Sequence, residues 1–170
     1  RRSSDLDVTD AFSQEEVFSP RVGIVYQPIE PVSLYASYSR SFNQATSVFS
    51  AAEPEPERGE QFEIGAKLDL TNRLAATLAF YDLTRSNLPT ADPNNPLLTI
   101  QVGEQQSQGI EFDISGEILP GWNIIAGYAY TDAEIIEDND FEAGNRLNNV
   151  PENAFNLWTT YEIQSGDLQG

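Results

Sequence analysis

Apolar residues fall on every second position through seven stretches of this chain. Val22, Ile24 and Tyr26 form the first set, and Val32, Leu34, Ala36 and Tyr38 the second. Phe62, Ile64, Ala66, Leu68 and Leu70 follow, interleaved with Gln61, Glu63, Gly65, Lys67 and Asp69. Leu74, Ala76, Leu78 and Phe80 make the fourth, blurred by Ala75, Ala79 and Leu83 on the other parity. Ile110, Phe112, Ile114 and Ile118 then alternate with Glu111, Asp113, Ser115 and Glu117. Trp122, Ile124, Ala126, Tyr128 and Tyr130 are the sixth set, and Phe155, Leu157, Tyr161 and Ile163 the seventh. A period of two is the signature of a strand with one apolar and one wet face. With almost no helical period elsewhere, the chain is all-β, an antiparallel array of seven strands.

The connections sharpen this. Residues 28–31 (PIEP), 71–73 (TNR) and 119–121 (LPG) carry Pro, Asn and Gly as tight turns require. Between them, residues 43–58, 85–99 and 132–149 read as long polar loops, so short and long connections alternate. Loops of that length are uncommon in compact soluble domains, whereas outer-membrane barrels have short turns on one side and long loops on the other. The regular runs cover about 9 to 13 residues, close to the 9 to 11 that cross a bilayer at a tilt. Tyr26, Tyr38, Phe42, Trp122, Tyr128, Tyr130 and Tyr161 gather near strand ends, where aromatic girdles sit. The reading is a transmembrane β-barrel wall, apolar parity to lipid and charged parity to a hydrated lumen. A soluble β-barrel or sandwich binding module would turn the same parity inward, and a passive porin would share the barrel.

Composition narrows the chemistry. The 170 residues carry a net charge of -18, which argues against nucleic acid because phosphate binding needs clustered Lys and Arg. Cys, His and Met are absent, which excludes thiol nucleophiles, Ser-His-Asp triads, thiolate or imidazole zinc sites and disulfides within this chain. Beginning RRSSDLDVTD and stopping at SGDLQG, it reads as a piece of something longer.

Several segments carry a resemblance: SPRVGIVYQP (19–28), SLYASYSRSF (33–42), ERGEQFEIGAKLDL (57–70), FYDLTRSNL (80–88), the stretch 103–135 and NRLNNVPENAFNLWTTYEI (145–163). In order and spacing they resemble the C-terminal barrel of TonB-dependent siderophore receptors, in particular the ferrichrome-receptor-like branch. The resemblance implies that residues 1–170 are part of a 22-stranded barrel of the bacterial outer membrane, seven strands of it, without its plug domain, its TonB box or the terminal strand that ends in an aromatic residue. It implies an importer of ferric siderophores, with no cofactor and no enzymatic activity. Its partners would be the chelate, outer-membrane lipid, and the TonB energy-coupling complex acting through the plug.

Candidate ligand contacts are Tyr81, Arg85 and Trp158, on the parity opposite the lipid face or just above its outer end, with Phe49 and Phe141 in the long loops. Aromatic and guanidinium groups of this kind suit a planar or anionic chelate. Lumen contact with the plug, and loop packing, are the competing roles. Residues 134–146 gather Glu134, Glu137, Asp138, Asp140 and Glu142. Asp138, Asp140 and Glu142 invite a calcium reading, but Ala143 stands where an EF-hand needs Gly, so a solvated acidic loop is the simpler expectation. The paired acids along the strands, such as Glu111 and Asp113, need no catalytic purpose on a face that meets water.

Overall fold

The computed structural model describes residues 17–44 and 55–165. They form β1 (Arg21–Ile29), β2 (Val32–Asn43), β3 (Glu57–Thr71), β4 (Leu74–Asp92), β5 (Asn95–Leu119), β6 (Trp122–Glu137) and β7 (Asn153–Tyr161). All seven make one antiparallel meander in which sequence neighbours are spatial neighbours.

The register explains why the alternation holds on every strand. Tyr26 pairs with Leu34, Leu34 with Ala66, Ala66 with Leu78, Leu78 with Phe112, Phe112 with Tyr128 and Tyr128 with Phe155. One rung thus crosses the whole sheet through seven apolar residues. A slip of one residue at any pairing would send half the rung to the wet face. Nothing among the described residues covers this surface, where Ile24, Phe62, Ile64, Phe155 and Leu157 are all more than half exposed. No large side chain described is fully buried. An apolar face of this extent marks a surface built to meet another apolar phase, a bilayer or a packed layer.

The apolar band runs obliquely to the rungs. On β3 it extends two positions above the shared rung, through Ile64 to Phe62, while on β7 the next outward residue above Phe155 is Asn153. Its upper edge therefore drops by four residues, about 13 Å, over the four strand spacings from β3 to β7, about 19 Å. That slope, on the order of 30°, is what strands tilted across a horizontal slab produce. Above the edge the same parity turns polar: Asp82 accepts from the Gln106 amide at 3.1 Å and the Gln108 amide at 2.8 Å, and Arg40 pairs with Glu60. At the lower edge Trp122 faces Tyr161 across the ladder and donates its indole N–H to Thr159 Oγ1 at 2.8 Å.

The tight turns fall as expected, with residues 30–31, 72–73 and 120–121 outside the strands. Gly121 has φ 80°, a left-handed conformation that suits Gly after Pro120. Arg73, in its turn, is ion-paired to Glu117, and that hydrogen bond, then the opposite charge, raises the guanidinium pKa further above its ordinary value. Glu117 also accepts the Gly121 N–H at 2.8 Å, so one carboxylate ties two turns.

The opposite end differs from the expectation of plain loops. Residues 85–99 are mostly strand: β4 runs to Asp92 and β5 starts at Asn95, a hairpin with a two-residue turn. Pro89 and Asn87 are residues that strands disfavour. They are accommodated by register shifts at Arg85/Leu88 and Leu88/Pro89, with Asn87 at φ 59°, and a bulge is where a strand tolerates Pro. In residues 132–149, β6 continues to Glu137 and the chain folds back on it. Ile135 N donates to Asn145 O and Leu147 N to Ala133 O, both at 2.9 Å.

A single cysteine at Asn95 or Glu142 is expected to react with a membrane-impermeant maleimide on intact cells, and one at Asn72 is not. Labelling at Asn72 alone would put the tight turns, and not the long hairpin, on the outside.

Candidate functional site

The face opposite the apolar band carries the chemistry. It presents Glu63, Lys67 and Asp69 on β3, Tyr81 and Arg85 on β4, and Glu111 and Asp113 on β5. Gly65 and Gly109 lie on it too. Tyr35 is paired with Gly65 and Tyr81 with Gly109, and each tyrosine lies over the glycine it faces. A Cβ added at Gly65 would stand 2.5 Å from the Tyr35 ring, and one at Gly109 2.6 Å from the Tyr81 hydroxyl.

The absent side chains let the rings lie along the wall instead of projecting from it. Tyr35 then donates to Glu63 Oε1 at 2.8 Å, while the Gln61 amide reaches Glu63 Oε2 at 3.2 Å. Tyr81 passes over β5 at Gly109 and meets Thr131 Oγ1 on β6 at 3.1 Å. Because Glu63 and Tyr81 are cross-strand partners, the two contacts form one belt from β2 to β6. The carboxylate of Glu63 is oriented on both oxygens, and the lumen surface is flattened at that height.

The predicted contact residues divide. Tyr81 and Arg85 share this face of β4, and Arg85 is ion-paired to Glu57 at 3.0 Å, so its charge is already compensated. Trp158 is on the same face, paired with Ile125, at the level of Ser115 and Ala75. From residue 75 to residue 81 is six positions of β4, about 20 Å of strand rise. Trp158 therefore sits far towards the short-turn end and is not brought together with Tyr81. Phe141 lies at the long-hairpin end, 56% exposed. Phe49 lies outside the described residues.

The acidic segment has a structural role. Asp138 Oδ1 accepts from Asp140 N (2.7 Å), Phe141 N (3.3 Å) and the Thr90 hydroxyl (3.1 Å), and Asp140 Oδ2 accepts from Ala91 N (3.3 Å). Among the described residues no group of three or more carboxylates is gathered as a metal would need. The alternation had singled out neither Tyr35 nor Thr131. Their partnership depends on which residues register opposes, and Tyr–Gly opposition becomes visible only when two strands are aligned.

Residues 2–170 match the family profile described as TonB dependent receptor-like, beta-barrel. The chain belongs to that family. It is 39% identical over 165 residues to the metal-pseudopaline receptor CntO of Pseudomonas aeruginosa, covering 95% of this chain and 23% of that protein. It is 32% identical over 158 residues to the ferrichrome outer membrane transporter/phage receptor of Escherichia coli, covering 92% and 21%. Among solved structures, the ferripyoverdine receptor of the outer membrane of Pseudomonas aeruginosa superposes with a TM-score of 0.75 at 29% identity, over 91% of this chain and 21% of that one. The siderophore receptor PiuA of Acinetobacter baumannii gives 0.74 at 32% identity, over 84% and 23%. The chain thus spans about a quarter or less of these relatives. The TonB-dependent receptors are outer-membrane receptors and not enzymes, and this chain is a stretch of such a barrel.

Proposed function

We propose that this chain is part of the wall of an outer-membrane importer of ferric siderophores, driven by TonB through a plug domain that lies in the lumen. The observation that carries the reading is the apolar rung shared by all seven strands, backed by an ordered polar face, in a chain that belongs to this receptor family. Lipid meets the apolar band, the tight turns face the periplasm, and the long hairpin reaches outward. Tyr81, beside Glu63, lines the path or supports the plug, and Phe141 stands at the outer mouth.

A second cargo is favoured by one comparison: the relative at 39% identity is named for a metal-pseudopaline complex, so a metal chelate other than a ferric siderophore fits the same wall. In either case charge bears on the choice. Residues 132–149 hold Asp132, Glu134, Glu137, Asp138, Asp140 and Glu142 against Arg146, and a field of that sign repels a highly anionic tris-catecholate more than a neutral hydroxamate chelate.

Deleting the complete receptor is expected to abolish high-affinity, TonB-dependent uptake of radiolabelled iron from a hydroxamate chelate. Loss of uptake of another chelated metal with iron uptake intact would move the assignment to the second cargo. Loss of neither would defeat the importer reading. Tighter binding of a ferric catecholate than of a ferric hydroxamate would overturn the charge argument.

A further inference from the structure

At the long-hairpin end, unlike the bare sheet below, the structure packs tightly. Of the described residues, Leu88, Thr90, Ala133 and Ile135 are buried there, and Thr90 is only 4% exposed. Two neighbouring segments are hydrogen-bonded to the β4–β5 hairpin, one on each flank. On the first, the Gln101 amide treats residue 55 as a strand neighbour would. It accepts from Glu55 N at 2.7 Å and donates to Glu55 O at 2.6 Å, and it also reaches Asn87 O at 3.1 Å. The Asn87 amide, turned by its left-handed backbone, donates to Pro56 O at 3.3 Å.

On the second flank the Thr90 hydroxyl donates to Asp138 Oδ1 and accepts from Asn139 N at 3.0 Å. The Asn139 amide donates to Ala91 O at 3.0 Å. A single exposed side-chain hydrogen bond contributes little because water replaces it, but the Gln101 amide makes a reciprocal pair with Glu55 and a part-buried third bond to Asn87 O, and a buried hydroxyl that both donates and accepts leaves unsatisfied groups behind when it is removed.

We propose that the β4–β5 hairpin is a preformed post with two independent latches, Thr90 and Gln101, each fixing one flanking segment before any ligand arrives. That the post stands at the outer mouth rests on the importer reading and its orientation; the latches themselves do not.

Hydrogen exchange on the full-length receptor in detergent, without added chelate, tests this. Thr90→Val is expected to speed exchange in residues 139–141 about tenfold and leave residue 55 unchanged, and Gln101→Ala to do the reverse, since local openings report local hydrogen bonds. Thr90→Ser, which keeps the hydroxyl, should restore slow exchange. Should Thr90→Val not assemble into a heat-modifiable barrel, Asn139→Ala removes the other bond of the same flank, to Ala91 O, and leaves the Asp138 acceptor of Asp140 N and Phe141 N in place. No acceleration in either segment, or acceleration of both by either variant, would overturn the proposal.

Discussion

Replacing Ile114 by Arg in the complete receptor is expected to destabilise the barrel by about 2 to 4 kcal/mol, the range for a cation near the bilayer midplane on a lipid-facing strand. Ile114 lies two residues towards the short turns from the shared apolar rung, on the same face, between Ala76 and Ala126. Its neighbour Ser115 points to the other face, alongside Asp113 and Glu117, so Ser115→Arg places the same charge in a hydrated, acidic setting. The expected cost there is within about 1 kcal/mol of zero. Denaturant unfolding of the two variants in lipid vesicles decides the matter. Equal costs would mean that the faces are assigned wrongly, and a larger cost at Ser115 would mean that they are inverted.

The glycines under the tyrosines should behave unequally. The three atoms nearest to a Cβ at Gly65 all belong to the Tyr35 side chain, which can swing away once its bond to Glu63 is broken. A Cβ at Gly109 meets the Tyr81 hydroxyl and also the Tyr130 carbonyl oxygen at 2.5 Å, which belongs to the β6 backbone and cannot move alone. Gly65→Ala is thus expected to cost about 1 kcal/mol and Gly109→Ala about 3, the upper range for overpacking. Adding Tyr35→Ala should remove the steric part of the first penalty, whereas adding Tyr81→Ala should leave most of the second. A full rescue of Gly109→Ala by Tyr81→Ala would show that the ring, and not the β6 backbone, is the obstacle.

Proximity in the fold also divides the candidate residues in a way their spacing did not predict. Tyr81 and Arg85 are two steps apart on one face and stay together. Trp158 is on the same face yet some 20 Å of strand away from Tyr81. Arg85, a candidate contact for an anionic chelate, meets Glu57 across the β3–β4 ladder. Asp138 and Asp140 read as part of a solvated acidic loop, and they close a turn and hold the neighbouring hairpin.

The strands, their two faces and the short turns were legible in the residue order alone. Side-chain direction in a strand repeats every two residues, and Pro, Asn and Gly mark the chain reversals, so both signals are local. The long hairpin was not legible, because its pairing survives three register shifts and a Pro that local rules assign to a loop. The contacts across strands belong to tertiary structure for a related reason. Tyr35 finds Gly65, Tyr81 reaches Thr131 and Thr90 meets Asp138 over separations of 30, 50 and 48 residues. Which residue stands opposite another depends on register, and register is set jointly by the apolar band of all seven strands.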